Sequence, residues 1–219
     1  MLNERIYELK KTLLEEAGLV EKMVVLAMEE LVNFGKSYQE EVNTLENKVN
    51  KIEIDLDDKC LTLIALNQPE AKDLRQILMI YRINNDLERL GDQAVNIAES
   101  AAHLMGNPVL QLIPELFAMQ DSALKMLKDA LTAFTTEDNV LSHQVCDADN
   151  VVDDYNRKIY RHLIELIQAN PLQTDLYLHI LRIAKNLERI GDLSTNIAEN
   201  TIFLAQGKVI KHNIDKEFD

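Results

Sequence analysis

The sequence has no tryptophan, six glycines and four prolines, too few turn residues for a fold rich in sheet. Its two cysteines, Cys60 and Cys146, stand far apart and outside Cys-x-x-Cys spacing. That argues against a thiolate zinc site and reads both thiols as small buried side chains in a reducing cytoplasm. No stretch reaches the eighteen or so apolar residues of a membrane span, and the opening "MLNERIYELKK" is charged and amphipathic, unlike a secretory leader. Basic residues are also short, 23 against 37 acidic, for a net charge of −14. Nucleic acid and anionic lipid are repelled on average, and cations or basic protein patches are the expected partners. There is no Gly-rich phosphate loop, no G-x-S-x-G and no nucleophile–base pair, so no catalytic residue or organic cofactor site is assigned.

The few breakers fall at regular places. Gly35, Pro69, the "MGNPVLQLIP" run from Met105 to Pro114, Pro171 and Gly207 leave six segments of helical length, about 4–34, 37–66, 70–105, 112–135, 137–169 and 172–206. The expected fold is all-α, two tandem three-helix bundles over 1–107 and 108–219. Each third helix carries an apolar stripe at 3–4 spacing, through Ile83, Leu87, Leu90 and Ala94 in one and Ile183, Leu187 and Ile190 in the other. The halves repeat each other. Phe34 and Phe134 match at an offset of one hundred, "NQP" at 67–69 answers "ANP" at 169–171, and eleven of the eighteen positions 82–99 are identical to 182–199.

Within that repeat, "LERLGDQAVNIAES" from Leu87 and "LERIGDLSTNIAEN" from Leu187 set Glu88, Asp92, Asn96 and Glu99, and again Glu188, Asp192, Asn196 and Glu199, in one line along each helix. At about 100° per residue the line points away from the apolar stripe, so a surface feature is expected. One such line reads as a solvated helix face. Two that keep the same identities while Gln93 and Leu193 drift ask for a chemical reason. Gly91 and Gly191, each costing on the order of 1 kcal/mol in a helix, imply a close approach there by a neighbouring helix or a ligand.

Two carboxylates four residues apart can reach one cation, but a hard ion takes six or more oxygens, so a second helix must contribute. Asp149 and Asp153 have the right spacing in the second half, and Glu46 and Asn50 are their counterparts in the first. An all-oxygen set suits hard or borderline ions such as iron, manganese or magnesium. Arg82, Arg89, Arg182 and Arg189 flank the line as salt-bridge partners, or as help for an anion such as phosphate. The bland alternative is a metal-independent interaction bundle whose acids dock partner arginines. A ferritin-like oxidase is disfavoured because no histidine has a glutamate three residues before it. All five histidines, His103 included, read as surface residues.

The paired E-R-[LI]-G-D and N-I-A-E motifs, with "LNQPEAKDLR" at 66–75 and "GKVIKH" at 207–212, resemble the PhoU family over nearly the whole chain. The resemblance implies two similar three-helix bundles whose Glu/Asp-x-x-x-Asp motifs hold iron, manganese, magnesium or zinc, singly or as multinuclear clusters. Carried over, the motifs fall on Glu88 with Asp92, Glu188 with Asp192, and Asp149 with Asp153. Glu46 with Asn50 departs, since Asn50 stands where an aspartate is common; Leu193 stands where many relatives place histidine, and "DLY" at 175–177 answers "DLR" at 73–75 of the first half. The implied role is a cytoplasmic, non-enzymatic adaptor that restrains phosphate uptake and the phosphate-starvation response. It acts through the ATPase subunit of the phosphate importer and a sensor histidine kinase. Acidic faces bridged by ions further suggest a homodimer.

Overall fold

The computed structural model describes residues 2–32 and 36–206, the side chains of 205 and 206 excepted. Phe34, Gly35, Gly207, His212 and the "GKVIKH" segment lie outside the described residues. Six long helices follow in order: α1 (Leu2–Val32), α2 (Gln39–Asn67), α3 (Ala71–Leu104), α4 (Glu115–Thr136), α5 (Asn139–Ala169) and α6 (Thr174–Gln206). Short 3-10 turns at Pro108–Leu112 and Pro171–Gln173 use the prolines that the sequence marks as breakers. No strand occurs among the described residues. Asn107 caps the first of these turns by accepting from the Val109 amide at 3.0 Å, and Asp138 caps α5 by accepting from Leu141 at 3.0 Å.

Helices α1–α3 pack together, α4–α6 pack together, and α3 lies against α6 between the two groups. One hydrophobic core runs through both groups, from Leu13, Val20 and Met23 through Leu87 and Leu90 to Leu127, Leu187 and Ile190. Each such fully buried side chain contributes about 1.5–3 kcal/mol. The α4–α5 turn adds a polar tie, since Glu137 accepts from Gln76 at 3.2 Å and pairs with Lys72 and Lys10 at 3.4 and 3.7 Å.

The duplication is visible in burial. Residues 82–100 and 182–200 follow the same order of buried and exposed positions, one hundred apart. In the first helices the buried positions repeat at 103 instead. Leu13, Glu16, Val20, Met23, Val24 and Ala27 answer Leu116, Met119, Ala123, Met126, Leu127 and Ala130. The second helices keep that offset, because Val49 lies beside Gly91 as Val152 lies beside Gly191. The extra residues of the first half sit in the passage from α2 to α3.

Candidate metal centre: two carboxylate seams

The line of acids on each third helix is not turned straight to solvent. Asp92 and Asp192 are exposed, but Glu88, Asn96 and Glu99, with Glu188, Asn196 and Glu199, are half-buried. The expectation of a purely outward face fails for a geometric reason. A third helix is flanked by several neighbours, so the side away from one apolar stripe meets another helix. The acids therefore border two seams, one between α2 and α3 and the other between α5 and α6.

In the second seam, α5 supplies Asp149 and Asp153 and α6 supplies Glu188 and Asp192, as the spacing predicts. Burial, then Asp192, Asp153 and Glu188 in turn, push the Asp149 carboxyl up to about 6. Asp192, though exposed along one side, is raised by the partial burial of its carboxyl in the seam and by Glu188, against the pull of Lys185. Several acids are thus held where their charges oppose one another. Basic groups relieve this in part. Lys185 donates to Glu188, Arg157 pairs with Asp153 at 3.3 Å and Asp154 at 2.7 Å, and Asn156 donates to Glu188 at 3.4 Å. Past Asp153, Asn156, Arg157, Tyr160, Arg161, Leu181 and Lys185 line a basic cavity of about 400 Å³.

In the first seam, Glu46 is raised by burial and then by Asp92 and Glu99 across the groove, while Glu88 is raised by burial, Asp92, Glu53 and Glu46. Asn50 adds an amide where Asp153 adds a charge. The seam continues beyond the four expected residues. Glu53 and Asp57 carry the line on along α2, and burial followed by Asp57 raises Glu53. Asn84, fully buried, donates to the Glu53 carbonyl at 2.9 Å and to Asp57 at 2.7 Å.

Beneath this end lies Glu16 of α1, with no exposed surface and no hydrogen-bond partner on either carboxylate oxygen. Burial, then Glu53, Asp57 and Glu88, push it up to about 9. Glu16, Glu53 and Asp57 are missed by the sequence reading. The available signals were a glutamate in a core slot between Leu13 and Val20, and a second i, i+4 acid pair directly after Asn50.

The glycines make room for neighbouring helices. A Cβ on Gly191 would lie 3.3 Å from Asp149 Oδ1 and 3.4 Å from Val152 Cγ1, so the glycine lets a candidate ligand rest against the α6 backbone. On Gly91 it would meet Met23 Cε at 3.6 Å and Val49 Cγ1 at 3.7 Å, ordinary contacts.

Arg182 donates to Asn96 at 2.7 Å and to Glu99 at 2.8 Å, joining the second bundle to the first, and Arg89 pairs with Asp86 at 3.8 Å. His103 is exposed as expected, but its ring stacks on His179 with centroids 4.2 Å apart. Cys60 is buried and Cys146 half-buried, both free.

As placed, no three Asp, Glu, His or Cys side chains among the described residues converge tightly enough to hold an ion; the carboxylates are spaced along the seams. The donor set still fits a hard cation. It is all oxygen, it carries more negative charge than its basic neighbours offset, and at Glu16 it includes buried oxygens without partners.

These features define a class: an all-helical protein of two tandem three-helix bundles, each with an acidic seam between its second and third helices. The PhoU domain model matches residues 13–101 and 116–201. The chain belongs to the PhoU family. It is 34% identical over 216 residues to the phosphate-specific transport system accessory protein PhoU homolog of Aquifex aeolicus, covering 99% of this chain and 98% of the relative. It is 33% identical to PhoU homolog 1 of Thermotoga maritima, covering 96% and 94%. The crystal structure of PhoU from Pseudomonas aeruginosa superposes with a TM-score of 0.89 at 32% identity, covering 95% of this chain and all of that one. The phosphate transport system regulatory protein PhoU from Streptococcus pneumoniae gives 0.85 at 26% identity, covering 95% and 99%. Among the described residues no helix is long and apolar enough to cross a membrane.

Proposed function

We propose that this chain is a metal-binding, non-enzymatic regulator of phosphate transport, a cytoplasmic adaptor that restrains uptake. Its family membership and the names of its relatives as phosphate transport accessory and regulatory proteins support the transport assignment. The observation that carries the metal reading is the duplicated seam, with facing acids on neighbouring helices whose burial and mutual repulsion disfavour their charged forms. A bound iron or manganese ion would neutralise that repulsion and act as a fixed positive charge. Asp149, Asp153, Glu188 and Asp192 would hold it in the second seam, and Glu46, Asn50, Glu88 and Asp92 in the first. The face so organised would dock the ATPase subunit of the phosphate importer and the sensor histidine kinase.

Elemental analysis of the purified full chain, beside a variant carrying Glu188→Ala and Asp192→Ala, tests the metal reading. Equal metal in both proteins would remove those residues from the site. Light scattering with and without added Mn(II) reads the expected homodimer.

The second reading, a metal-independent module docking partner arginines, draws on Arg182, whose guanidinium already serves Asn96 and Glu99. Binding to the importer ATPase that survives exhaustive chelation unchanged would favour it.

A further inference from the structure

The first half holds more acid than the duplicated motif requires, and the excess lies at one end of its seam. Met23 of α1 sits beneath Gly91 and Val49. Seven residues are about two helical turns, so Glu16 on α1 lies level with Asn84 on α3, seven before Gly91. On α2, which runs the other way, that level falls at Leu56, seven after Val49 and between Glu53 and Asp57. The charged groups facing Glu16 agree, being Glu53, Asp57 and Glu88. The side chain therefore points into the acid cluster.

Two fully buried side chains here carry oxygens with no partner: both carboxylate oxygens of Glu16, and Asn84 Oδ1, left over once the Asn84 amide nitrogen donates to Glu53 and Asp57. Burying a polar group without a hydrogen bond costs several kcal/mol. Single orphaned atoms occur elsewhere, at Ser100 Oγ and Thr195 Oγ1 for example, but only Glu16 leaves both oxygens of a carboxylate without a partner among the described residues. Glu30, the other fully buried glutamate among the described residues, accepts from Ser37 Oγ at 2.9 Å and from the Tyr38 amide at 3.0 Å. Protonating Glu16 would supply one donor to this group of acceptors, and would still leave its carbonyl oxygen and the remaining carboxylates without a donor.

The repeat supplies an internal control. At the equivalent level of the second half, Met119 stands for Glu16, Ala184 for Asn84, Asn156 for Glu53 and Tyr160 for Asp57. The cluster is lost there, and Arg157, Arg161 and Lys185 line a basic cavity in its place. A hard cation seeks six or more oxygens at short range, with carboxylates to match its charge. Only the first half carries enough carboxylate oxygens at this level, and they would have to close around the ion from their spaced positions.

We propose that Glu16, Asn84, Glu53, Asp57 and Glu88 form a cation site peculiar to the first half, about two helical turns along the seam from Glu46 and Asp92. It takes a hard divalent or trivalent metal ion and offsets the carboxylate that Asn50 lacks. This deepens the metal-binding reading above and rests on it for the class of ligand, while its location rests on the orphaned oxygens alone.

The test is a Mn(II) titration of the chelated full chain, followed by electron paramagnetic resonance of free Mn(II). It compares the parent protein with Glu16→Met, with Glu53→Gln plus Asp57→Asn, and with Asp149→Asn plus Asp153→Asn. Glu16→Met copies the apolar side chain of the second half, and the Glu53/Asp57 pair lies nearer the rim, so a failure to fold in one variant leaves the other to decide. The expected result is loss, or at least tenfold weakening, of one Mn(II) site in both first-half variants. The second-seam variant keeps that site. Chelated Glu16→Met should also melt higher than the parent, and Mn(II) should raise its melting temperature less. First-half variants that bind Mn(II) with the parent's number and affinity overturn the site while the metal-binding reading survives. If the second-seam variant binds as the parent does and only the first-half variants lose Mn(II), the site stands and the two-seam reading fails. No Mn(II) binding by the parent overturns both.

Discussion

Arg182 of the second bundle donates to Glu99 of the first at 2.8 Å, and one turn further on the His103 ring stacks on His179. Both contacts bridge α3 and α6, so the duplicated motif also joins the halves. The ion pair is nearly half exposed at each end, 44% and 45%, which limits its contribution to under about 1 kcal/mol. Arg182→Ala is expected to lower stability by no more than that in urea unfolding at low salt, with the difference shrinking in 1 M salt. A larger loss, insensitive to salt, would mean that Arg182 organises the interface in some other way.

The two motif glycines should answer differently to the same substitution. At Gly91 the added methyl meets only Met23 and Val49 at ordinary contact distance, so Gly91→Ala gains helix propensity and stabilises by up to about 1 kcal/mol. At Gly191 the methyl presses on Asp149 Oδ1 and Val152. Gly191→Ala should gain less or lose stability, and should weaken any Mn(II) binding that depends on Asp149. Equal gains from both substitutions, with Mn(II) binding unaltered, would count against Gly191 as the seat of Asp149.

Helix number and order were legible because prolines and apolar stripes are local signals. Pro69, Pro108 and Pro171 end or begin elements wherever the chain folds, and Leu87 or Leu187 reports a buried side whatever covers it. The direction of the acid line was not local. Its angle from the stripe is fixed by the helix, but its exposure depends on which neighbour packs beside it, and only the assembled bundle puts α2 against Glu88 and α5 against Glu188. The placement of Asp149 and Asp153 beside Glu188 and Asp192 could be anticipated because they repeat the i, i+4 spacing. Glu16 was hidden beside Glu15 in "LLEEAGL", where two acids read as a solvated turn and only the phase with Leu13 and Val20 tells them apart. The His103–His179 stack had no sequence signal, since it joins residues 76 apart that share no motif.

The two thiols should be chemically quiet. Burial and then Asp57 push Cys60 up to about 12, while burial, Glu199, Asp147 and Asp149 push Cys146 up to about 11. Since the thiolate is the nucleophile, iodoacetamide at pH 8 should label neither at the rate of a free cysteine, and both should react in 8 M urea. Half-buried Cys146 should be the faster of the two in the native protein. Rapid native labelling of Cys60 would show that α2 opens on the labelling timescale.

Metal-free protein should become more stable as the solution is mildly acidified, opposite to the behaviour of acids held in salt bridges. Asp149 has a carboxyl at about 6 in the folded state against 3.8 as its ordinary value. Between those pH values the folded state binds the extra proton, so stability falls as pH rises through the window, and above it the ionised group is a constant liability. Glu46, Glu88 and Asp192 are shifted in the same direction. In the presence of chelator, the urea midpoint should therefore be higher at pH 5.5 than at pH 8. Asp149→Asn should flatten the slope between about 4 and 6. Saturating Mn(II) at pH 8 should recover the stability that acid confers, because an ion relieves the same repulsion as a proton. A midpoint that climbs with pH in the chelated protein, unchanged in Asp149→Asn, would show that the seam acids are already neutralised by Lys185, Arg157 and their neighbours.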